Sequence, residues 1–515
     1  MPVADLILKN ARVITMDSRQ PAAEAVAISG DRLQVVGSND GLESVTGTRT
    51  RIIDCEGKTL LPGFNDAHCH LFSLIRKLLS VDLSPPAISC IADIKEAIFR
   101  KAQGTPAGKW LSGTGYNEFY LAEKCCPTRR DIDEVAPNHP VVLSHRGLHA
   151  CVFNSAALSL AGITIETPDP PGGIIDRDLD TGEPTGVLYE MLGYVRERVL
   201  PSLSDEELNE GITLANKHYL AKGITSLQEA TVSNDYRRWQ TLRGLKQGSK
   251  LKSRVYMMLG AQAQNEFLEA GLTTGCGDGN LRLGGVKIML SEATGQLQPP
   301  QSELNRQVLE SHRDGFQLAF HAIEENTVAA AITALEYLSS QCRLFGRRHR
   351  IEHCSECPPS LLERLSMLPV AVVTQPPFVY YSGERYLATV APSQLPWLYR
   401  IKSLLDSGLV VAGSSDSPIV PDNPLVGIYA AVTRTAESGQ RVLPHEGVSA
   451  SRALALYTAN AAYASFEEGI KGSIAPGKLA DMVVLSDDPT RVLAEGIKDI
   501  KVEMTILGGR VVWEA

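Results

Sequence analysis

The chain has 515 residues, 43% of them hydrophobic and 21% charged, with 59 acidic against 50 basic residues and a formal net charge of −9. That length exceeds one ordinary domain but accommodates an elaborated α/β barrel beside a smaller domain. The acidic balance argues against a nucleic-acid-binding surface, and no apolar run is long enough to span a membrane.

Residues 1–16 alternate apolar and polar and lack the basic start and unbroken apolar run of a secretory signal. The ten cysteines do not show the spacing of a small disulfide-stapled domain. Reduced thiols and a cytoplasmic location are the expectation, with Cys354 and Cys357 forming a lone C-x-x-C. The first 60 residues read as short strands at 5–8, 11–15, 25–28, 32–36 and 51–54, with Gly30-Asp31 as a turn. The end of the chain reads alike, with strands at 482–485, 502–507 and 510–513 and a Gly508-Gly509 hairpin turn. Two β-rich ends around a different middle predict one β-domain made from both termini.

From Leu61 the pattern changes to short apolar runs separated by helical stretches such as 204–222 and 326–341. The runs are 61–67, 223–228, 254–259, 285–290, 317–322, 349–353, 370–374 and 409–414. Strands apolar along their whole length, alternating with helices, favour a parallel sheet closed into a (β/α)8 barrel. The predicted division is therefore 1–60 and 469–515 for the two parts of a β-sandwich and 61–468 for the barrel. A Pro- and Gly-rich segment at about 82–203 departs from the repeat and reads as an insertion after the first barrel strand, covering the barrel mouth.

The polar residues that carry chemistry end these apolar runs, on the face where a barrel builds its active site. His68 and His70 lie two apart in LPGFNDAHCH and so point to the same side of an extended strand, facing one metal ion. His321 ends QLAFH and His353 ends HRIEH, which suits an imidazole-rich zinc-type site. Asp416, in GSSDSP, reads either as a helix cap or as a metal-bound carboxylate that also takes a proton from water. Lys287 sits inside the apolar strand GGVKIML, where a charged amine is disfavoured. It is expected either to pair with Glu292 or Glu229, or to be neutral and add carbon dioxide, giving a carbamate that bridges two divalent cations.

These motifs resemble the amidohydrolase superfamily, especially the branch containing N-substituted formamide deformylases. The resemblance extends over FHAIEEN, RHRIEHC, the PPGGIID…GEPTGVLYE segment and GSIAPGKLAD, nearly the whole chain. It implies a (β/α)8 barrel beside a composite β-sandwich, with His68, His70, Lys287, His321, His353 and Asp416 as the metal site. The implied cofactor is one or two divalent ions, zinc being expected. The chain departs from the branch around the pocket, with Ser291 and Glu292 after the lysine, Gln228-Glu229 where relatives carry His-Asp, and Gly147-Leu148-His149 in place of Asp-Gly-His.

The expected reaction is hydrolysis of an amide or N-formyl/N-acyl amine, with Asp416 as general base and His353 or His149 hydrogen-bonding the oxyanion. His149, Arg146, Glu292 and Gln228 are the expected substrate contacts. The partner is a small molecule, with neither nucleic acid nor membrane, and a homodimer is compatible with the chain. Deamination, hydrolysis of a cyclic amide or carbamate, a metal-dependent lyase reaction and an inactive scaffold are the alternatives.

Overall fold

The computed structural model describes residues 2–515 except 148–149, 171–172, 192–194, 196–198 and 293–294. The chain divides into two compact units, Met1–Leu71 with Asn216–Ala515, and Phe72–Ala215.

The first unit contains the barrel. Its strands are β1 (Phe64–Cys69), β2 (Ile224–Glu229), β3 (Arg254–Gly260), β4 (Leu281–Met289), β5 (Leu318–Ala322), β6 (Arg350–His353), β7 (Ala371–Thr374) and β8 (Val410–Gly413). Neighbours pair in parallel in that order. The ring closes where the Asp416 N–H donates to the His68 carbonyl and the His70 N–H to the Ser417 carbonyl, both at 2.8 Å. Helices follow the strands, among them Tyr236–Gln247 after β2, Gln301–Arg313 after β4 and Glu325–Gln341 after β5. The Asp235 carboxylate caps the first of these by accepting the Arg238 N–H at 2.7 Å. Such crossovers bury both faces of the sheet, which is why β2, β3, β6 and β7 are buried at every residue.

The termini meet in a sandwich of two sheets. One orders Arg32–Gly37, Ala25–Ser29, Leu6–Lys9 and Arg51–Asp54; the other orders Arg510–Glu514, Val502–Leu507, Met482–Leu485, Thr59–Pro62, Arg12–Ile14 and Ala22–Ala23. Leu6, Leu8, Val26 and Ile28 of the first pack with Val13, Leu60, Val484 and Ile506 of the second. Both predicted turns are present. Gly509 (φ 73°) requires glycine twice over, because a Cβ there would also lie 2.4 Å from the Gly30 carbonyl oxygen.

Two features differ from the expectation. The apolar run 61–67 is two strands, not one: Thr59–Pro62 pairs with Met482–Leu485 in the sandwich, and β1 begins at Phe64. Gly63 between them hydrogen-bonds to the Asp481 carbonyl at 2.9 Å and lies so close to Thr225 that a Cβ would meet its Oγ1 at 2.3 Å. The insertion also has its own sheet. In the unit Phe72–Ala215 six strands are ordered Ile174–Arg177, Pro184–Tyr189, Ala150–Phe153, Val141–His145, Leu111–Tyr116 and Val81–Asp82. Val141, Leu143 and Val152 face one apolar cluster and Val142, Cys151 and Phe153 another, the alternation of a sheet covered on both faces. Among the described residues no helix is long and apolar enough to cross a membrane.

At the start of β6, His349 accepts the Leu318 N–H on Nδ1 at 3.0 Å and so donates from Nε2 to His312 Nδ1, also at 3.0 Å. Burial pushes His349 from 6.5 down to about 3. The unfolded chain therefore binds the extra proton between these values; the resulting destabilisation is absent above pH 6.5, grows as pH falls and is complete near pH 3. His349→Gln should be less stable than wild type at pH 7. In urea titrations across pH, the gap should narrow by on the order of a few kcal/mol as pH falls through that window.

Candidate metal centre

Each strand of a parallel barrel delivers its last side chains to one face, and five of the eight strands end in the residues singled out above. His68 lies in β1 and His70 just beyond it, Lys287 in β4, His321 in β5, His353 ends β6, and Asp416 follows β8. His353 and Asp416 have φ of 72° and 59°. For residues with a Cβ this left-handed turn costs roughly 1–2 kcal/mol, and here it ends the extended backbone at the residue carrying the polar group.

One ligand atom each from His68, His70 and Asp416 lies within 4.8 Å of the other two. Asp416 Oδ1 is 3.0 Å from His70 Nε2 and 3.6 Å from His68 Nε2. The same His68 Nε2 is 3.2 Å from Lys287 Nζ. The His353 ring lies 4.9 Å from that of His68 and 4.4 Å from that of His321, centroid to centroid. His353 Nε2 is 3.0 Å from His321 Nδ1. All six residues are thus brought together at one end of the barrel.

Hydrogen bonds behind the rings of His68 and His353 assign their tautomers. Glu352 accepts two guanidinium N–H bonds from Arg350, at 2.7 and 3.0 Å, and is 2.5 Å from His68 Nδ1. A carboxylate accepts only, so His68 carries its proton on Nδ1 and leaves the Nε2 lone pair facing Asp416 and Lys287. Gln375 donates its amide to Ser414 Oγ at 3.0 Å, which leaves Oε1 to accept from His353 Nδ1 at 2.8 Å. His70 Nδ1 meets the Thr231 hydroxyl at 2.9 Å.

The electrostatics follow from burial. His68, His321 and His353 are all held below the ordinary histidine range, chiefly by desolvation, and so are neutral donors. Desolvation pushes Lys287 down to about 8 against the opposing charges of Glu352 and Asp416. Burial, the largest single influence, would raise Asp416, but the His70 hydrogen bond together with the neighbouring imidazoles of His68, His353 and His70 outweighs it and keeps the carboxyl ionised. Neutral imidazoles converging on an ionised carboxylate are the donor chemistry of a divalent-cation site, and these residues fit such an ion.

Two of the expected substrate contacts, Gln228 and Glu292, are engaged by other protein groups. Gln228 is fully buried inside the barrel, its carboxamide donating to the Ala461 carbonyl at 2.8 Å and accepting from Arg350 at 2.5 Å. It therefore braces Arg350 and has no free polar atom for a substrate. Glu292 accepts from Asn326 Nδ2 at 2.9 Å, and Glu229 from the Leu71 and Thr231 N–H groups at 2.5 and 3.0 Å. Neither makes the Lys287 pairing entertained from sequence. Arg146 is exposed in the unit Phe72–Ala215, and His149 lies outside the described residues. Sequence reasoning missed Arg350, Glu352, Thr231 and Gln375. For the first two a signal existed: an Arg-x-Glu pair within an apolar strand is as costly to bury as the lysine of β4.

Known proteins resemble the chain over nearly its full length. The profile described as "Amidohydrolase family" matches residues 51–513. N-substituted formamide deformylase of Arthrobacter pascens is 30% identical, over 99% of this chain and 98% of the relative. The putative amidohydrolase YtcJ of Bacillus subtilis (strain 168) is 29% identical over 98% of each. The crystal structure of an uncharacterized metal-dependent hydrolase from Pyrococcus furiosus covers 94% of this chain and 100% of its own, with TM-score 0.76 and 26% identity.

A cation that binds only the folded chain stabilises it by about 2.7 kcal/mol at a hundredfold excess over its Kd. Zinc or manganese should accordingly raise the melting temperature of chelator-stripped protein. In His70→Ala, whose lost ring is only half-buried, that shift should largely vanish, as read by differential scanning fluorimetry.

Proposed function

The chain belongs to the amidohydrolase family, and on that premise we propose that it hydrolyses the C–N bond of an amide, with an N-formyl or N-acyl amine as substrate. The observation that carries this reading is the convergence of His68, His70 and Asp416 on one point, with Lys287, His321 and His353 beside them. The deformylase relative, similar end to end, supports the choice of bond.

In this reading His68, His70 and Asp416 hold one divalent ion, with Lys287, His321 and His353 available to a second. The ion supplies Lewis acidity, lowering the pKa of water and polarising an amide carbonyl. Asp416 is ionised and accepts the proton of the attacking water, then returns it to the departing amine nitrogen. Glu229 holds the N–H groups of Leu71 and Thr231, and so orients the turns that carry His70 and its hydroxyl partner. A Lys287 amine that is neutral for part of the time near neutrality can bond through nitrogen to the carbon of carbon dioxide, releasing a proton and leaving an anionic carbamate.

The rim suggests what the amine carries. Val232 follows the Thr231 that bonds His70, Met289 pairs in register with His321, and the Ile419 N–H bonds the Asp416 carbonyl at 3.0 Å. These three are 44%, 40% and 38% exposed, apolar surface beside polar donors. An apolar N-substituent fits that rim better than a charged one, by the roughly 25 cal/mol for each Å² of apolar surface removed from water.

Three outcomes check the reading. Purified protein should contain zinc or a related divalent metal, and a panel of N-formyl, N-acyl and cyclic amides should show turnover of formyl or acyl amines with apolar substituents. Asp416→Asn should keep much of the metal while kcat falls by about 10²–10⁴-fold. Lys287→Ala should lower the bound metal measured by mass spectrometry. Ammonia release from ring substrates without amide cleavage would replace the proposal with deamination.

A further inference from the structure

His68, His70 and His353 are not backed alike at Nδ1. His70 meets a hydroxyl and His353 an amide oxygen, but His68 meets the Glu352 carboxylate at 2.5 Å. That carboxylate is fully buried and rigidly held. Arg350, also fully buried, grips it with Nε and NH2, and donates as well to the Ala67 carbonyl at 2.8 Å and Gln228 Oε1 at 2.5 Å. Gln228 is tied in turn to the Ala461 carbonyl. A continuous polar chain therefore runs through the barrel interior and ends on one ring nitrogen.

We propose that Glu352, clamped by Arg350, is a positioning residue for the metal centre, fixing His68 as the Nδ1–H tautomer and making it the strongest donor of the set. A carboxylate accepting from one imidazole nitrogen raises electron density at the other, more than a hydroxyl or an amide oxygen does. The guanidinium balances the carboxylate charge, so the pair backs the ring without drawing the proton off Nδ1. The geometry also explains an Arg-x-Glu placed where simple packing would favour aliphatic residues. This inference rests on the reading of His68 as a ligand.

Zinc affinity, measured by competition with a chromophoric chelator, tests both levels. Glu352→Gln should weaken zinc binding by about 10–100-fold, and Thr231→Val, which removes only the hydroxyl behind His70, by clearly less. Because Glu352→Gln leaves Arg350 buried without its counter-charge, the charge-balanced double variant Arg350→Met/Glu352→Gln is measured alongside, with the same loss expected. In the metal-free wild type, the shielded His68 Nδ1 proton should give a strongly deshielded proton resonance that is missing from His68→Ala. Folded Glu352 variants with wild-type zinc affinity, a Thr231→Val loss equal to theirs, or a wild type without that resonance would overturn the proposal. Wild type that takes up no zinc, or His68→Ala binding as tightly as wild type, would instead sink the metal reading itself.

Discussion

Two backbone hydrogen bonds, Asp416 N–H to the His68 carbonyl and His70 N–H to the Ser417 carbonyl, do two jobs at once. They join the last barrel strand to the first, removing the open edges that an eight-stranded sheet would otherwise present. They also lay the two ends of the donor set side by side although nearly 350 residues of chain separate them, as the span of 346 positions from His70 to Asp416 shows. The buried Asp66 reinforces the seam from within β1, accepting the Ser415 hydroxyl at 2.5 Å and its N–H at 3.0 Å. Burial raises this carboxyl to about 7, and the Ser415 bonds hold it down against a still larger rise. Ligand geometry and barrel closure are thus one constraint.

That constraint explains where polar groups are tolerated. A parallel barrel has no solvated face, so an ionisable side chain inside it must be partnered or lose its charge. β6 carries both solutions in four residues. Arg350 and Glu352 neutralise one another, and His353 stays uncharged with its Nδ1 satisfied by Gln375. Removing one partner of a buried pair typically costs about 3–5 kcal/mol, whereas replacing both by apolar groups is often harmless to stability. The presence of the pair therefore points to the ring it touches more than to the fold.

Much of this was legible in the sequence, for a physical reason. Buried parallel strands read as unbroken apolar runs, and a histidine or lysine at the end of such a run stands out against them. Each of the eight runs supplies one barrel strand, and the six singled-out residues converge. What was not legible depended on partners distant in sequence. The split at Gly63 follows from the approach of Thr225, and the sheet of the insertion is hidden because it mixes parallel and antiparallel pairs and so lacks the regular strand–helix repeat of the barrel. Gln228 misled because a polar residue at a strand end looks like a ligand contact; only Arg350 and the Ala461 carbonyl reveal that it points inward.

The sandwich shared by the two termini has a consequence for how the protein is made. Thr59–Pro62 needs Met482–Leu485 as its neighbour, and Gly509 seats against the Gly30 carbonyl, so the N-terminal strands cannot be completed until those distant segments have been synthesised. At about 5–20 residues per second that delay is on the order of a minute. Throughout it, the Thr59–Pro62 strand offers an unpaired edge to other nascent chains. Pairing of that edge with Met482–Leu485 is therefore a late step of folding, made only after the whole barrel between them has been synthesised.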